Sequence, residues 1–501
     1  MTAPPAEPNP ALAASDLGRT TKRSAVRGIR WVLWLNAITL PMSFATNLVL
    51  GRHSVEALGM YGAIQILITG FQTFLIIGGY AVFTRFVPGM PRDRRFPFLT
   101  SYAALVLSFF TTAWVLGRLL APAAVDALLA RFGGPPPAMA YLMGLAVVVW
   151  AFGSHFLYGV ERAREAAFAL KLVVAVYFLF SFLVLTPVGR GWLAHPETSL
   201  WWATCAAYGT ASVVAAGFVL AIPREAMERR WGWFLPAGFW AVVLYTHLGT
   251  VVEFVYSSLT PSVVFWWLDV AALGRLTAAI RWIMLVSLLP GMLMSVVTPG
   301  IAKLESAGLR DEALVQVRVA MRVSELAVVP CVLAIILFAA ELMGVFGADY
   351  RAFAGILRIA ALSALAGPVV YLGTGLAIAL GELRAYLAVS VVYVISSLGL
   401  SLLLIPAFGL TGAAIAIAVS SAIQCLAMIL MARSWGLRPA RTTPIGWAFG
   451  AFTLSIAGLV GESLALAAAA WLILCVSFAW SAGMTVAEVT LLARRALGRA
   501  S

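Results

Sequence analysis

The sequence predicts an all-α polytopic membrane protein of about fourteen transmembrane helices, and three observations carry that reading. Hydrophobic residues make up 62% of the 501 and charged residues only 11%, with mean hydropathy +0.96. A soluble chain is typically about half apolar and about a quarter charged. Apolar runs of membrane-spanning length recur from end to end, and no stretch between them is long enough for a separate soluble domain. Finally, lipid offers no partner to an open strand edge, so each spanning run is a helix.

Residues 1–28 are polar, rich in Pro and Ala, and read as a disordered cytoplasmic tail. A basic run closes it: Arg19, Lys22, Arg23, Arg27 and Arg30. The apolar run at 31–50 is longer than the core of a signal peptide and carries Trp31, Trp34, Asn36 and Asn47, so it is an uncleaved first span. Further spans follow at 60–84, 97–120, 138–158, 166–188, 198–222, 233–258, 275–301, 323–346, 352–378, 385–406, 410–432, 443–461 and 464–492. The segment Pro261–Asp269 is expected along the outer interface before the eighth span enters, with Trp266 and Trp267 at headgroup level.

The basic residues fix the orientation. With the N-terminus in the cytoplasm, 26 of the 34 Lys and Arg fall on the inner side and 8 on the outer. A wrong span count would mix the two classes from the error onward. The asymmetry therefore supports an even number of spans with both ends inside, and most of the net charge of +13 is explained as orientation. Nucleic-acid binding is excluded because no soluble basic domain exists to perform it. Cys205, Cys331, Cys425 and Cys475 are isolated within apolar runs, with no CxxC pair, so metal or redox chemistry is not expected and no cofactor is implied.

An internal repeat divides the chain. The second span begins Glu56-Ala-Leu-Gly59 and the eighth Ala271-Ala-Leu-Gly274, an offset of about 215 residues or six spans, and both end near a proline, Pro88 and Pro299. An even offset keeps both halves in one orientation, as in transporters built of parallel repeats around a central cavity. The expected organisation is a tail at 1–28, a six-helix bundle at 29–222, a second at 223–434, and two extra helices with a cytoplasmic tail at 435–501.

Four segments carry a family resemblance. The second span has Leu58-Gly59-Met60-Tyr61, Gly78-Gly79 and Arg85-Phe86-Val87-Pro88. The eighth has Leu273-Gly274, Pro290 and Val297-Thr298-Pro299. The ninth-to-tenth junction reads Val345-Phe346-Gly347-Ala348-Asp349-Tyr350, and the eleventh-to-twelfth Ile405-Pro406-Ala407-Phe408-Gly409-Leu410-Thr411-Gly412. Over about residues 20–435 the chain resembles the oligosaccharide flippase branch of the multidrug/oligosaccharidyl-lipid/polysaccharide exporter superfamily. The two added C-terminal spans are similar to those of its peptidoglycan-precursor flippases. The resemblance implies the fold these flippases share with the multidrug exporters of the MATE type. It also implies export of an undecaprenyl-diphosphate-linked oligosaccharide from the cytoplasmic to the periplasmic leaflet of a bacterial inner membrane. A polysaccharide polymerase and a chain-length regulator are the implied partners, beside membrane lipid. A monomer is expected because the cavity lies within one chain.

A lipid-linked diphosphate is anionic, and carrying it through a low-dielectric slab requires compensating charge. Arg suits the task because its planar fork pairs bidentately with phosphate. The candidate cavity cations are Arg281 and Arg358, each seven or eight residues inside the expected outer end of its helix, then Arg85, Lys171 and Arg30 near inner ends. For each the alternative is snorkelling to the headgroups. Glu253 and His247 on the seventh span are candidates for proton or sodium coupling; Glu253 would otherwise pair with Arg281 or Arg275, and His247 would otherwise be a satisfied bundle residue. Asn36, Asn47, Gln65, Gln72 and Gln424 are candidates for sugar contacts, or else interhelical hydrogen bonds. Pro290 and Gly291 mark a hinge or a static kink in the eighth span. A cation-coupled multidrug exporter, the alternative function, would need a more acidic cavity, and spans one to six offer no mid-membrane Asp or Glu. A membrane-embedded polymerase or glycosyltransferase would need acids or a base on a substantial loop, and Asp126, His195 and Glu197 form no recognisable arrangement.

Overall fold

The computed structural model describes residues 34–76, 78–160, 162–184, 196–306, 308–437, 442–460 and 463–481, and every regular element among them is a helix. The chain starts with α1 (34–53) and α2 (Val55–Leu75), whose first turn is capped by Ser54 Oγ accepting the Ala57 N–H at 2.9 Å. There follow α3 (Gly79–Phe86), α4 (Arg92–Leu120), α5 (Pro122–Arg131), α6 (Pro137–Gly159), α7 (Ala163–Val184) and α8 (Pro196–Leu220). Next come α9 (Phe239–Trp267), α10 (Val270–Ser306), α11 (Arg310–Leu337), α12 (Ala339–Gly344), α13 (Ala348–Arg351) and α14 (Ala354–Ala361). A 3₁₀ turn at Leu362–Ala366 leads into α15 (Gly367–Ala379). The stretch Leu383–Ser434 is two helices, α16 (383–408) and α17 (410–434), divided at Gly409, whose φ of 58° and ψ of −134° are non-helical. The chain of described helices closes with α18 (Thr442–Val460) and α19 (Leu464–Ser481).

Each of the fourteen expected apolar runs is occupied by a helix or a broken pair. Among the described residues nine helices are long and apolar enough to cross a membrane, the longest being the stretch divided at Gly409. The protein is a multi-pass membrane protein.

Several expected edges move. The second span breaks between α2 and α3, where Gly78 takes a left-handed φ of 87°. A side chain there would press on Val82 and on the Val243 backbone. Helix resumes after a bend between Val252 and Ser257 and continues through Pro261 to Trp267, so the expected interfacial segment is mostly helix. The expected outer loop at 121–137 contains α5. The ninth span starts at Arg310 rather than 323 and ends at Leu337, which puts Arg310, Arg318 and Arg322 on the helix itself. The tenth runs from Ala354 to Ala379 through α14, the 3₁₀ turn and α15.

The chain packs as two compact units. One holds the residues up to Thr46 with Leu67–Thr250, and the other Asn47–Ile66 with Val251 onward. Two sets of local contacts hold segments within these units. The segment after α8 is tied to α4: Glu228 N–H donates to Arg92 O at 3.1 Å, Arg95 Nη1 to Ala226 O at 3.0 Å, and Phe234 N–H to Ser101 Oγ at 2.9 Å. The start of α2, in turn, is drawn to α10, where Gly59 and Gly274 leave no room for a side chain between the two backbones.

In the first unit α6 is the hub, packed on α3, α4, α7 and α8. Phe83 of α3 sits within 6.0 Å of the ring centroids of Phe98, Tyr102, Phe152 and Phe156, mostly edge to face. Gly153 and Ala215 let α6 and α8 approach closely, as small residues do in membrane bundles. In the second unit α11 is the hub, against α10, α14, α15, α18 and α19. Its buried face, Ala313, Leu314, Val317, Ala320 and Met321, packs with Val369, Leu372, Leu376, Cys425 and Met428.

Candidate functional site

Residues of the second unit on three different helices converge on one expected cation. Helix α1 supplies Asn47, which is fully buried; α2 supplies Tyr61, also buried; α10 supplies Arg281, partly buried. Arg281 Nε donates to Asn47 Oδ1 at 3.0 Å, and its Nη1 lies 3.6 Å from Met284 Sδ. The Tyr61 phenol is near enough to interact electrostatically with the guanidinium.

The local sequence explains this placement. Asp269 caps α10 by accepting the Ala272 N–H, so the helix starts at Val270 rather than at 275. Arg281 is then eleven residues in, roughly 16 Å from the helix start at about 1.5 Å per residue. That is deeper than the expected edge implied. An Arg near the centre of a span costs about 2.5–3.5 kcal/mol on insertion scales. Asn47 offsets part of this with a neutral acceptor. Among the described residues no carboxylate forms an ion pair with Arg281. The arrangement is a held guanidinium whose charge no described acid neutralises, which can receive an anion bidentately.

The other predicted residues lie elsewhere. Arg358 is on α14, only four residues from the start of the tenth span at Ala354. It is half-buried, and its Nε is buried without a hydrogen-bond partner among the described residues. Gln65 is half-buried on α2, and Gln424 is buried on α17 with its Oε1 unpartnered. Pro290 is buried and Gly291 half-buried, and α10 continues helical through both, so no unwinding occurs there. These residues all belong to the second unit.

In the first unit, Arg85 is exposed at the last turn of α3, as a snorkelling residue would be. Lys171 is half-buried on α7, as are Asn36 on α1 and Gln72 on α2. His247 is half-buried on α9 with its Nδ1 unpartnered. Glu253 lies on α9, but its side chain is outside the described residues, and so is Arg30.

Sequence reasoning missed two features of the second unit. Arg275, named from the sequence as a possible partner of Glu253, stacks its guanidinium 4.2 Å over the Phe353 ring. Phe353 also lines a cavity of about 460 Å³ with Leu268, Ala272, Ile356, Leu410 and Thr411. The second feature is Glu325, fully buried on α11, with Thr442 donating to its Oε2 and Thr443 to its Oε1. The signal for Glu325 was present, an acid inside an apolar stretch. An expected helix start at 323 put it at the membrane edge, where it needed no explanation.

No protein-family model and no curated protein matches the sequence. Solved structures do match. A lipid II flippase MurJ in an inward closed conformation superposes with a TM-score of 0.67 at 12% identity, over 90% of this chain and 99% of its own. The inward-facing conformation of a multidrug resistance MATE family transporter of the MOP superfamily gives 0.57 at 16%, over 85% and 96%. A MOP superfamily transporter from Pyrococcus furiosus, described as having a binding pocket of reverse polarity that suggests a different function, gives 0.53 at 16%, over 87% and 96%. At these identities the likeness establishes the fold: the chain has the MATE/MurJ-like all-α polytopic fold.

Proposed function

We propose that this protein is a flippase that moves an undecaprenyl-diphosphate-linked oligosaccharide from the cytoplasmic to the periplasmic leaflet by alternating access, for export of a cell-surface polysaccharide. The observation that carries the reading is Arg281, deep in a span, held by the Asn47 amide and unneutralised by any described acid. A permanently charged fork in a low-dielectric setting suits a diphosphate and repels a cationic drug. The superfamily fold supports a transporter over a membrane-embedded polymerase or glycosyltransferase.

On this reading Arg281 is the first contact for the diphosphate. Arg358, Arg85, Lys171 and Arg30 are further cations on the path. Asn36, Gln65, Gln72 and Gln424 are sugar contacts, and Pro290 and Gly291 form the hinge. Proton or sodium coupling falls to Glu253 or His247. The proposed home is the bacterial inner membrane with both termini cytoplasmic. The protein works as a monomer alongside a polymerase and a chain-length regulator.

The test is leaflet-resolved accumulation of lipid-linked oligosaccharide in cells lacking the protein. Inner-leaflet build-up, relieved by the wild type and not by Arg281→Ala, is expected. Normal outer-leaflet levels in cells with no second flippase would sink the reading. Cation-coupled multidrug export, the second reading, would then be assayed directly; the MATE neighbours favour it, and the basic character of Arg281 opposes it.

A further inference from the structure

The C-terminal pair α18–α19 lies outside the six-span repeat, yet it is seated on α11 by specific contacts. Gly446 of α18 faces Val329, where a side chain would stand 2.9 Å from Val329 Cγ2. One turn on, Gly450 faces not α11 but Leu365 of the 3₁₀ turn, where the corresponding distance is 2.8 Å. The Trp471 Nε1–H of α19 donates to Pro330 O at 2.9 Å. At the start of α18 the contact changes character. Thr442 and Thr443 each donate a hydroxyl proton to one oxygen of Glu325, which is 2% exposed. Thr442-Thr443-Pro444 opens the helix, and its unpaired first-turn N–H groups carry a partial positive charge at the same end.

A carboxylate buried in a membrane-spanning helix is costly unless paired. The other titratable or charged groups around it are Arg322, one turn earlier on α11, and the Cys425 thiol on α17. Among the described residues no ion pair joins Glu325 to a cation. The site nevertheless stays satisfied in both protonation states, because a hydroxyl can donate or accept. With the carboxylate ionised, two O–H groups donate to a charged acceptor. A proton from solvent, added to one oxygen, turns that oxygen into a donor; its threonine must then rotate to accept, and both hydrogen bonds become neutral. Charge-assisted bonds are roughly twice as strong as neutral ones. The grip on α18 weakens without leaving a buried group unpaired, which distinguishes a switch from a defect.

We propose that Glu325, Thr442 and Thr443 form a proton site that latches the C-terminal helix pair to α11, closed when the carboxyl is ionised and loosened when it is protonated. The proposal does not depend on what the protein transports.

The test is backbone amide exchange of residues 445–450 in the full-length protein in lipid nanodiscs, at about pH 5 and about pH 8, corrected for intrinsic exchange. The wild type should show roughly tenfold faster exchange in this turn at the lower pH, the loss expected when two charge-assisted bonds become neutral. E325Q should exchange fast at both values, and so should the T442V/T443V double variant. The T442S/T443S variant keeps the hydroxyls and should keep the pH response, which preserves the test if E325Q fails to fold. Exchange in the wild type that is the same at both pH values overturns the latch, and so does a pH response that survives in E325Q.

Discussion

Gly59 and Gly274 stand backbone to backbone where α2 crosses α10. A Cβ on Gly59 would lie 1.9 Å from the Val270 carbonyl oxygen, and one on Gly274 would lie 2.2 Å from the Val55 carbonyl oxygen. The relation is reciprocal: each glycine meets the residue four places before the other. The next pair along, Gly62 and Thr277, is also in contact and keeps the same offset of 215 residues. The Ala-Leu-Gly repeat read from the sequence is thus a local two-fold contact, in which equivalent residues of the second and eighth spans meet.

Gly59→Ala and Gly274→Ala should therefore be among the most damaging single-methyl additions in the chain. Overpacking typically costs about 1–3 kcal/mol, and here the opposing atoms are backbone that cannot rotate away, so a loss at or above the top of that range is expected. Gly217→Ala is the control, since nothing lies within 4 Å of its added carbon. Thermal unfolding in detergent should show both crossing variants well below the wild type and the control at or slightly above it. A crossing variant as stable as the control would show that the two helices do not touch there.

The repeat was legible because glycine at a crossing has a residue-type signature that survives in one sequence. Other features left no such mark. The break at Gly78 lies in an apolar run, so hydropathy carries the span straight through it, and only the left-handed φ of 87° shows where the helix stops. Arg281 and Arg358 looked equivalent by distance from a hydropathy edge. Capping by Asp269 puts Arg281 deeper, and the tenth span, which starts at Ala354, leaves Arg358 near its start. The same edge uncertainty, at the ninth span, hid Glu325. Hydropathy finds spans well and places their ends to within a turn or more, and an ionisable residue's role turns on that last turn.

The link between the two halves of the sequence is itself a packed element. The Ser101 hydroxyl accepts the Phe234 N–H at 2.9 Å and donates to Gly232 O at 3.4 Å, while Phe96 meets Trp231 edge to face at 5.3 Å. Ser101→Ala would leave the Phe234 N–H unpaired, at a cost of about 1–3 kcal/mol. Limited trypsin digestion should then cut faster near Arg229 and Arg230, with the rest of the chain unchanged. Unaltered cleavage would mean the segment is held by its aromatic contacts alone.

The junction of α16 and α17 rests on two glycines with different duties. Gly409 supplies a φ of 58°, a conformation that costs other residues about 1–3 kcal/mol. Gly412 supplies space: an added Cβ would lie 2.0 Å from Leu404 O. The open surroundings of Gly409 let an alanine there be strained without a clash, whereas Gly412→Ala must separate the two helices. Melting temperatures should fall in the order wild type, Gly409→Ala, Gly412→Ala, with Gly399→Ala near the wild type. The reverse order of the two junction variants would mean that the turn conformation, not the close approach, dominates.

The pairing of Arg281 with Asn47 offers a substitution whose effects on stability and on transport should have opposite signs. A purely structural guanidinium would welcome a stronger partner. Asn47→Asp supplies one, a carboxylate of nearly the same shape at the position where Oδ1 lies 3.0 Å from Nε. The substitution turns a hydrogen bond between a charged and a neutral group into an ion pair that compensates a buried charge, so the folded protein should be at least as stable. The new acid would also neutralise the cation and repel a diphosphate. If Arg281 receives the anionic head of the cargo, transport by Asn47→Asp should drop by about tenfold or more, the factor that about 1.4 kcal/mol of lost binding produces. Asn47→Ala should instead lower stability and spare more of the transport, because the charge stays uncompensated. Transport assays in cells, read beside thermal unfolding of the purified variants, separate the two cases. Full activity in Asn47→Asp would make Arg281 a scaffold residue and move the anion site elsewhere.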